Sequence, residues 1–177
     1  AYSLFYMSTN MEKLPFVLRQ LSPELRLKIL HSEIVDFGCG PGTFAWGLLS
    51  SYKDEMKSYI GVDKDPLMLE AALKFHKSIK DKGPKIEFSS TLDSVKRSSA
   101  ERTLIFSHSF NELDSSFVDD VIKQVDPHYL LFIEPGTPQV FSQIMQWRQS
   151  QSDFVPLYPC ASTSRACPIF DHIEEDW

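Results

Sequence analysis

The sequence predicts one α/β domain built on a mainly parallel sheet with helices on both faces. Short apolar runs of strand length alternate with stretches of helical period along most of the 177 residues. The first such run ends in a glycine-rich turn, Gly38-Cys39-Gly40-Pro41-Gly42, and the second ends in a carboxylate, Asp63. The length suits a single core, and 42% hydrophobic with 12% aromatic residues supplies the apolar material to fill it.

Residues 1–31 read as a helical preface. Leu14, Val17, Leu18 and Leu21 fall at helical spacing, and Pro23 opens a second short helix through residue 30. Residues 33–37 form the first strand, after which Phe44, Ala45, Leu48, Leu49 and Tyr52 recur with the helical period. Residues 58–62 are the second strand. Asp65 caps the next helix, Pro66 lies in its first turn, and Leu69, Ala72, Leu73 and His76 make its core face. Residues 85–88 and 103–106 are strands three and four, with a helix over 114–125 after the latter. The fifth strand is 129–133, and a last helix runs from 138 to about 149. The single domain then divides into the preface, a core over 32–150 and a tail over 151–177 that contains Cys and Pro.

Composition narrows the function classes. A formal charge of −6, with Lys and Arg spread along the chain, leaves no strong electrostatic footprint for nucleic acid. The stretch Lys74, Lys77, Lys80, Lys82 and Lys85 reads as the solvated face and end of a helix rather than an RNA contact. No apolar run approaches the roughly 20 residues that span a bilayer, and the N-terminus lacks a charged-then-apolar leader. A soluble location inside the cell or organelle is expected. Three cysteines are too few for the disulfide framework of a small secreted domain, which favours a reducing compartment.

The chemistry is concentrated at strand ends. Gly38, Gly40 and Gly42 let the backbone turn tightly and approach a ligand, and the helix that follows offers free amide donors. The spacing is G-x-G-x-G, and Pro41 lacks an amide hydrogen, whereas a dinucleotide loop is usually G-x-G-x-x-G with helix amides receiving a pyrophosphate. A phosphate-free ligand with an amino-acid portion fits better, and S-adenosylmethionine (SAM) has one. Asp63 stands about where a carboxylate meets the ribose hydroxyls of an adenosine cofactor, the alternative being a turn or cap residue. Asp36 either orients the loop and reaches the ligand's ammonium group or bonds nearby backbone amides. Cys39 reads as a packing residue.

These residues, with Gly61-Val62-Asp63-Lys64-Asp65-Pro66-Leu67-Met68-Leu69, resemble the class I SAM-dependent methyltransferases over residues 33–73. The resemblance implies a Rossmann-like fold and SAM as cofactor, held by Asp36, Gly38, Gly40, Gly42, Asp63, Lys64 and Met68. It also implies final antiparallel strands after the fifth, which only a longer chain would supply.

The second half narrows the family. Strand four runs into Ser107-His108-Ser109-Phe110-Asn111-Glu112-Leu113, and strand five into Ile133-Glu134-Pro135-Gly136-Thr137-Pro138. Both loops lie at the sheet edge where open α/β folds hold ligands. Together with Asp36-Phe37-Gly38-Cys39-Gly40-Pro41-Gly42 and the Cys-Pro tail, they resemble the methyltransferase-like family of the mitochondrial small ribosomal subunit and its bacterial relatives. The resemblance implies ribosomal RNA or the small subunit as partner, in the mitochondrial matrix or a bacterial cytoplasm.

That family also carries a cysteine cluster associated by resemblance with an iron–sulfur centre, in the pattern Cys-Pro-His-x-x-x-Cys-Pro followed by Asp-Trp-Cys-His. Cys160 and Cys167-Pro168 fall on the two cysteine positions, and Asp176-Trp177 falls before the third. Ala161 and Ser162 replace the Pro-His pair, and the gap between the cysteines is one residue longer. Two thiolates do not complete a four-ligand cluster, so a metal centre is expected only in a longer chain.

Methyl transfer from a sulfonium depends mainly on alignment, since the donor is already activated. Ser107, His108 and Asn111 are candidates to orient an acceptor, and Glu134 to accept a proton or bind the donor. Their plainer roles are a backbone-bonded loop histidine and helix caps. No Asn-Pro-Pro-Tyr-type loop and no cysteine beside strand four or five supports amino or cytosine-C5 chemistry. The leading function is methylation of small-subunit RNA or action in subunit assembly. The alternatives are a SAM-binding assembly factor without turnover and a small-molecule methyltransferase. The oligomeric state is not legible.

Overall fold

Five parallel strands, β1 (Glu33–Phe37), β2 (Ser58–Val62), β3 (Lys85–Ser89), β4 (Arg102–Ser107) and β5 (Tyr129–Ile133), form one sheet in the order β3-β2-β1-β4-β5. The first strand is central, paired with β2 on one side and β4 on the other. Winding therefore reverses between β3 and β4. Right-handed crossovers then send the helices of the two halves to opposite faces, and the C-terminal ends of β1 and β4 border the crevice where such sheets bind ligands. The computed structural model describes residues 7–79, 83–95, 100–159 and 167.

One face is covered by α2 (Lys13–Gln20), α3 (Pro23–His31) and α4 (Thr43–Tyr52), with the short α1 (Ser8–Asn10) leading into α2. Leu14, Leu18, Ile29, Leu30, Phe44 and Leu48 from these helices bury against Ile34, Tyr59, Ile105 and Ile133 of the sheet. Each fully buried leucine or isoleucine contributes roughly 1.5–3 kcal/mol by leaving water. The preface is thus part of the main core. Its close seat on α4 depends on Gly47, where a Cβ would lie 1.9 Å from the Met11 carbonyl oxygen.

On the opposite face α6 (Ser115–Val125) buries Val118, Val121 and Val125, and the Phe117 ring meets Phe37 at 6.0 Å. At the far end from the crevice, Arg102 donates to Glu33 Oε1 and to the Val125 carbonyl, each at 3.0 Å, tying β1, β4 and α6 together.

Helix starts follow the local chemistry. Ser22 accepts the Leu25 amide ahead of Pro23, and Asp65 accepts the Leu67 amide at 2.8 Å ahead of α5 (Pro66–Ser78). Strands β3 and β4 extend a residue or two beyond their apolar runs, because parallel pairing continues through Ser89 and Ser107. One expectation needs correction: Leu73 is 42% exposed rather than on the core face of α5. That helix lies along β3, an edge strand, so a narrow stripe around Ala72 is covered and the flank meets water. Lys74 pairs with Glu70 one turn earlier at the surface, in keeping with a solvated face. Lys80 and Lys82 lie outside the described residues.

Contacts divide the chain into two units, Ala1–Ile133 and Glu134–Trp177. In the second, Thr137 caps α7 (Pro138–Ser150) by accepting the Val140 amide at 3.4 Å, and Val140 and Trp147 are buried one face along. No strand follows β5 among the described residues. No described helix is long and apolar enough to cross a membrane.

Candidate functional site

The turn between β1 and α4 adopts left-handed backbone at all three glycines, with φ of 78° at Gly38, 54° at Gly40 and 77° at Gly42. Only glycine takes such angles without strain. The loop is anchored to the neighbouring strand, since the Gly38 and Cys39 amides both donate to the Val62 carbonyl, at 2.8 and 3.1 Å.

The glycines differ in what they admit. A Cβ on Gly38 would lie 2.5 Å from Ser109 Cβ, so its bareness lets the loop after β4 close in, where the Ser109 hydroxyl donates to the Phe37 carbonyl at 2.7 Å. Gly42 makes room for the Phe88 ring. At Gly40 nothing lies within 4 Å of the missing Cβ. Gly40 is therefore the point at which a ligand can reach the backbone.

Asp63 is beside that point. Its Oδ2 accepts the Gly40 amide and its Oδ1 accepts the Asp65 amide, both at 2.8 Å. The carboxylate is fixed by two backbone donors while each oxygen keeps a second lone pair for a further donor. It bridges the β2 end and the glycine loop. Lys64 is exposed next to it, and Met68 is half-buried in the first turns of α5.

A small cavity of about 30 Å³ lies against the loop, lined by Gly38, Cys39, Gly40, Thr43, Phe44, Ser107, His108 and Asn10. Asn10 comes from the preface and was not legible in the sequence as a site residue. Lys13 was missed in the same way. Its ammonium lies 3.1 Å from His108 Nε2. An ammonium can only donate, so Nε2 accepts and the ring proton sits on Nδ1. Burial, and secondly the Lys13 charge, push the His108 pKa below its ordinary value, so the imidazole is neutral at pH 7. His108 also holds φ at 54°, a conformation that a non-glycine residue keeps only when its surroundings enforce it. Here the His108 amide donates to the Ile133 carbonyl at 3.0 Å.

Asp36 is fully buried near the end of β1. The Tyr59 hydroxyl donates to its Oδ2, while Oδ1 has no hydrogen-bond partner. Its hydrogen-bond partner in the structure is thus a side chain rather than a backbone amide. Burial raises the Asp36 pKa to about 7, with the Asp63 charge adding to this and the Tyr59 bond opposing it. Cys39 is buried, its thiol pushed far up by the same burial, and it packs rather than reacts.

Asn111 is exposed in a 3-10 turn over Phe110–Glu112 and does not line the cavity. Glu134 begins the second unit. Cys160, Pro168 and the Asp176-Trp177 pair lie outside the described residues, and Cys167 is buried with a free thiol. Among the described residues no three His, Cys, Asp or Glu side chains are grouped to hold a metal.

Comparison with known proteins gives a family and a fold. The model of the family described as mitochondrial small ribosomal subunit Rsm22 matches residues 1–177. Comparison with curated proteins gives no match. Among solved structures, a magnesium protoporphyrin IX methyltransferase from Synechocystis with bound SAM aligns with a TM-score of 0.57 at 13% identity, covering 92% of this chain and 80% of that one. A cyclopropane synthase from Mycobacterium tuberculosis aligns at 0.52 and 12% identity, covering 69% and 41%. A protein from Pyrococcus horikoshii aligns at 0.50 and 20% identity, covering 82% and 66%. The chain thus spans under two thirds of these last two proteins. The likenesses show the fold of class I SAM-dependent methyltransferases.

Proposed function

The chain belongs to the Rsm22 family, and from that premise we propose that it binds SAM in the glycine-loop crevice and methylates RNA of the small ribosomal subunit in the mitochondrial matrix. One observation carries the reading: a glycine loop open to approach at Gly40, with the Asp63 carboxylate fixed 2.8 Å from the Gly40 amide. Loop and acid together suit a ligand that joins an amino acid to a ribose.

The residues present fit that cofactor. Thr43, at the start of α4, would meet its amino-acid end, and the side-chain-free Gly38 and Gly40 would let it lie close to the backbone. Asp63 would accept from the ribose hydroxyls with its remaining lone pairs, flanked by Lys64 and Met68. The cavity of about 30 Å³ is far below the roughly 300–1,000 Å³ of ligand pockets, so SAM would occupy the open strand ends beside it and displace Asn10. Bound SAM supplies an activated methyl group. Ser107 and the neutral His108 line the cavity and would orient the acceptor, which is the main requirement of this chemistry.

Asp63→Ala is expected to weaken S-adenosylhomocysteine (SAH) binding at least about tenfold, since a charge-assisted hydrogen bond contributes roughly 1.5–3 kcal/mol. Calorimetric titration of both proteins reads this directly, and equal affinities would remove Asp63 from the site. Transfer of radiolabelled methyl from SAM to small-subunit particles tests the activity. A chain that binds SAH and the particle yet transfers no label is an assembly factor, and the enzymatic reading fails.

A further inference from the structure

Next to the cofactor crevice the preface carries a second concavity. A groove of about 390 Å³ runs along α2, lined by Thr9, Glu12, Lys13, Phe16, Arg19 and Ile133 among others. Its volume lies within the range of small-molecule sites. Three features bear on what fits it. Phe16 is 53% exposed and lines the groove, although Leu14, Pro15 and Leu18 of the same helix are buried, so an aromatic side chain is presented to the groove. Lys13 and Arg19 place two cations along the groove, against the Glu12 carboxylate 3.7 Å from Arg19, in a chain whose net charge is −6. Lys13 is shared, because the same ammonium that lines the groove lies 3.1 Å from His108, which lines the glycine-loop cavity. One side-chain contact therefore joins the groove to the edge where the methyl donor is proposed to sit.

An aromatic platform with cations around it is the arrangement by which proteins hold unpaired nucleotides, the base stacking on the ring and the phosphate meeting Lys or Arg. We infer that this groove is the acceptor subsite, taking one unpaired RNA nucleotide with its base on Phe16 and its phosphate at Arg19, and that Lys13 is the positioning residue joining it to His108. The inference rests on the methyl-transfer reading for its purpose and on the groove itself for its ligand. Duplex RNA does not enter, because a paired base cannot reach the ring.

The test is binding of a short, fluorescein-labelled, mixed-sequence single-stranded RNA in the presence of SAH, with SAH affinity measured separately on each protein. Phe16→Ala is expected to weaken RNA binding about tenfold, Phe16→Trp to restore it, and Arg19→Gln to lower the slope of log affinity against log salt by about 0.7, the value for one phosphate on a single strand. SAH affinity is expected to stay within about twofold of the parent, as for distant sites that share no partner. If the RNA binds equally well to Phe16→Ala and Arg19→Gln, it binds elsewhere, and the groove assignment is overturned while the SAM reading stands. If the parent binds SAH but no single-stranded RNA, or prefers the duplex, the assignment is overturned in the same way. If the RNA responds to the variants but the parent binds no SAH, the groove is supported and the methyl-transfer reading fails.

Discussion

Gly47→Ala is expected to destabilise the protein by roughly 3 kcal/mol, although alanine is the better helix former by about 1 kcal/mol. The reason is the Met11 carbonyl oxygen, 1.9 Å from where the new Cβ would be, with the Met11 carbonyl carbon at 3.0 Å and Pro15 Cδ at 3.3 Å. The first two are backbone atoms, so no side-chain rotation relieves the overlap. The α1–α2 segment must lift from α4, loosening the buried Leu14 and Leu18, withdrawing Asn10 from the cavity and Lys13 from His108. Thermal melting is expected to show a fall of about 6–12 °C, with faster proteolysis near Met11. An unchanged or higher melting temperature would mean that the preface is not seated on α4 as described.

The second large effect is on the pH dependence of stability. Asp36 is fully buried, with its pKa raised to about 7 from an ordinary 3.8. A carboxyl whose folded pKa is raised prefers its proton in the native state. The stability it contributes is full below about pH 4 and is lost as pH rises through 7. Moving a carboxyl from 3.8 to about 7 corresponds to roughly 4 kcal/mol between those limits. Asp36→Asn cannot ionise and still offers an oxygen to the Tyr59 hydroxyl. The stability difference between variant and parent, measured by urea unfolding, is therefore expected to shift in the variant's favour by about that amount between pH 4 and pH 8. Parallel pH profiles would show that Asp36 titrates as an ordinary carboxyl.

The sheet was legible because its central strands are buried on both faces. Ile34-Val35 and Leu104-Ile105-Phe106 read as uninterrupted apolar runs, and the glycine turn and Asp63 stand directly at strand ends. Asp65 announced the next helix through its cap chemistry. What was not legible depends on long-range approach. Gly47 looks like an ordinary helical glycine until Met11 arrives above it. Asn10 and Lys13 carry no motif, and packing alone brings Lys13 to His108, far along the chain. The bond from Tyr59 to Asp36 was not legible either, because it follows from strand pairing, which puts the two on the same face of neighbouring strands. Leu73 repeats at helical spacing, and its exposure follows from the edge position of β3.

The most direct test of the whole account is a crystal structure of the chain grown with SAH. The ribose hydroxyls are expected on Asp63 and the amino-acid end against the Gly38–Gly42 backbone, with Asn10 moved aside. Density for the compound elsewhere, or an empty glycine loop at saturating SAH, would contradict it.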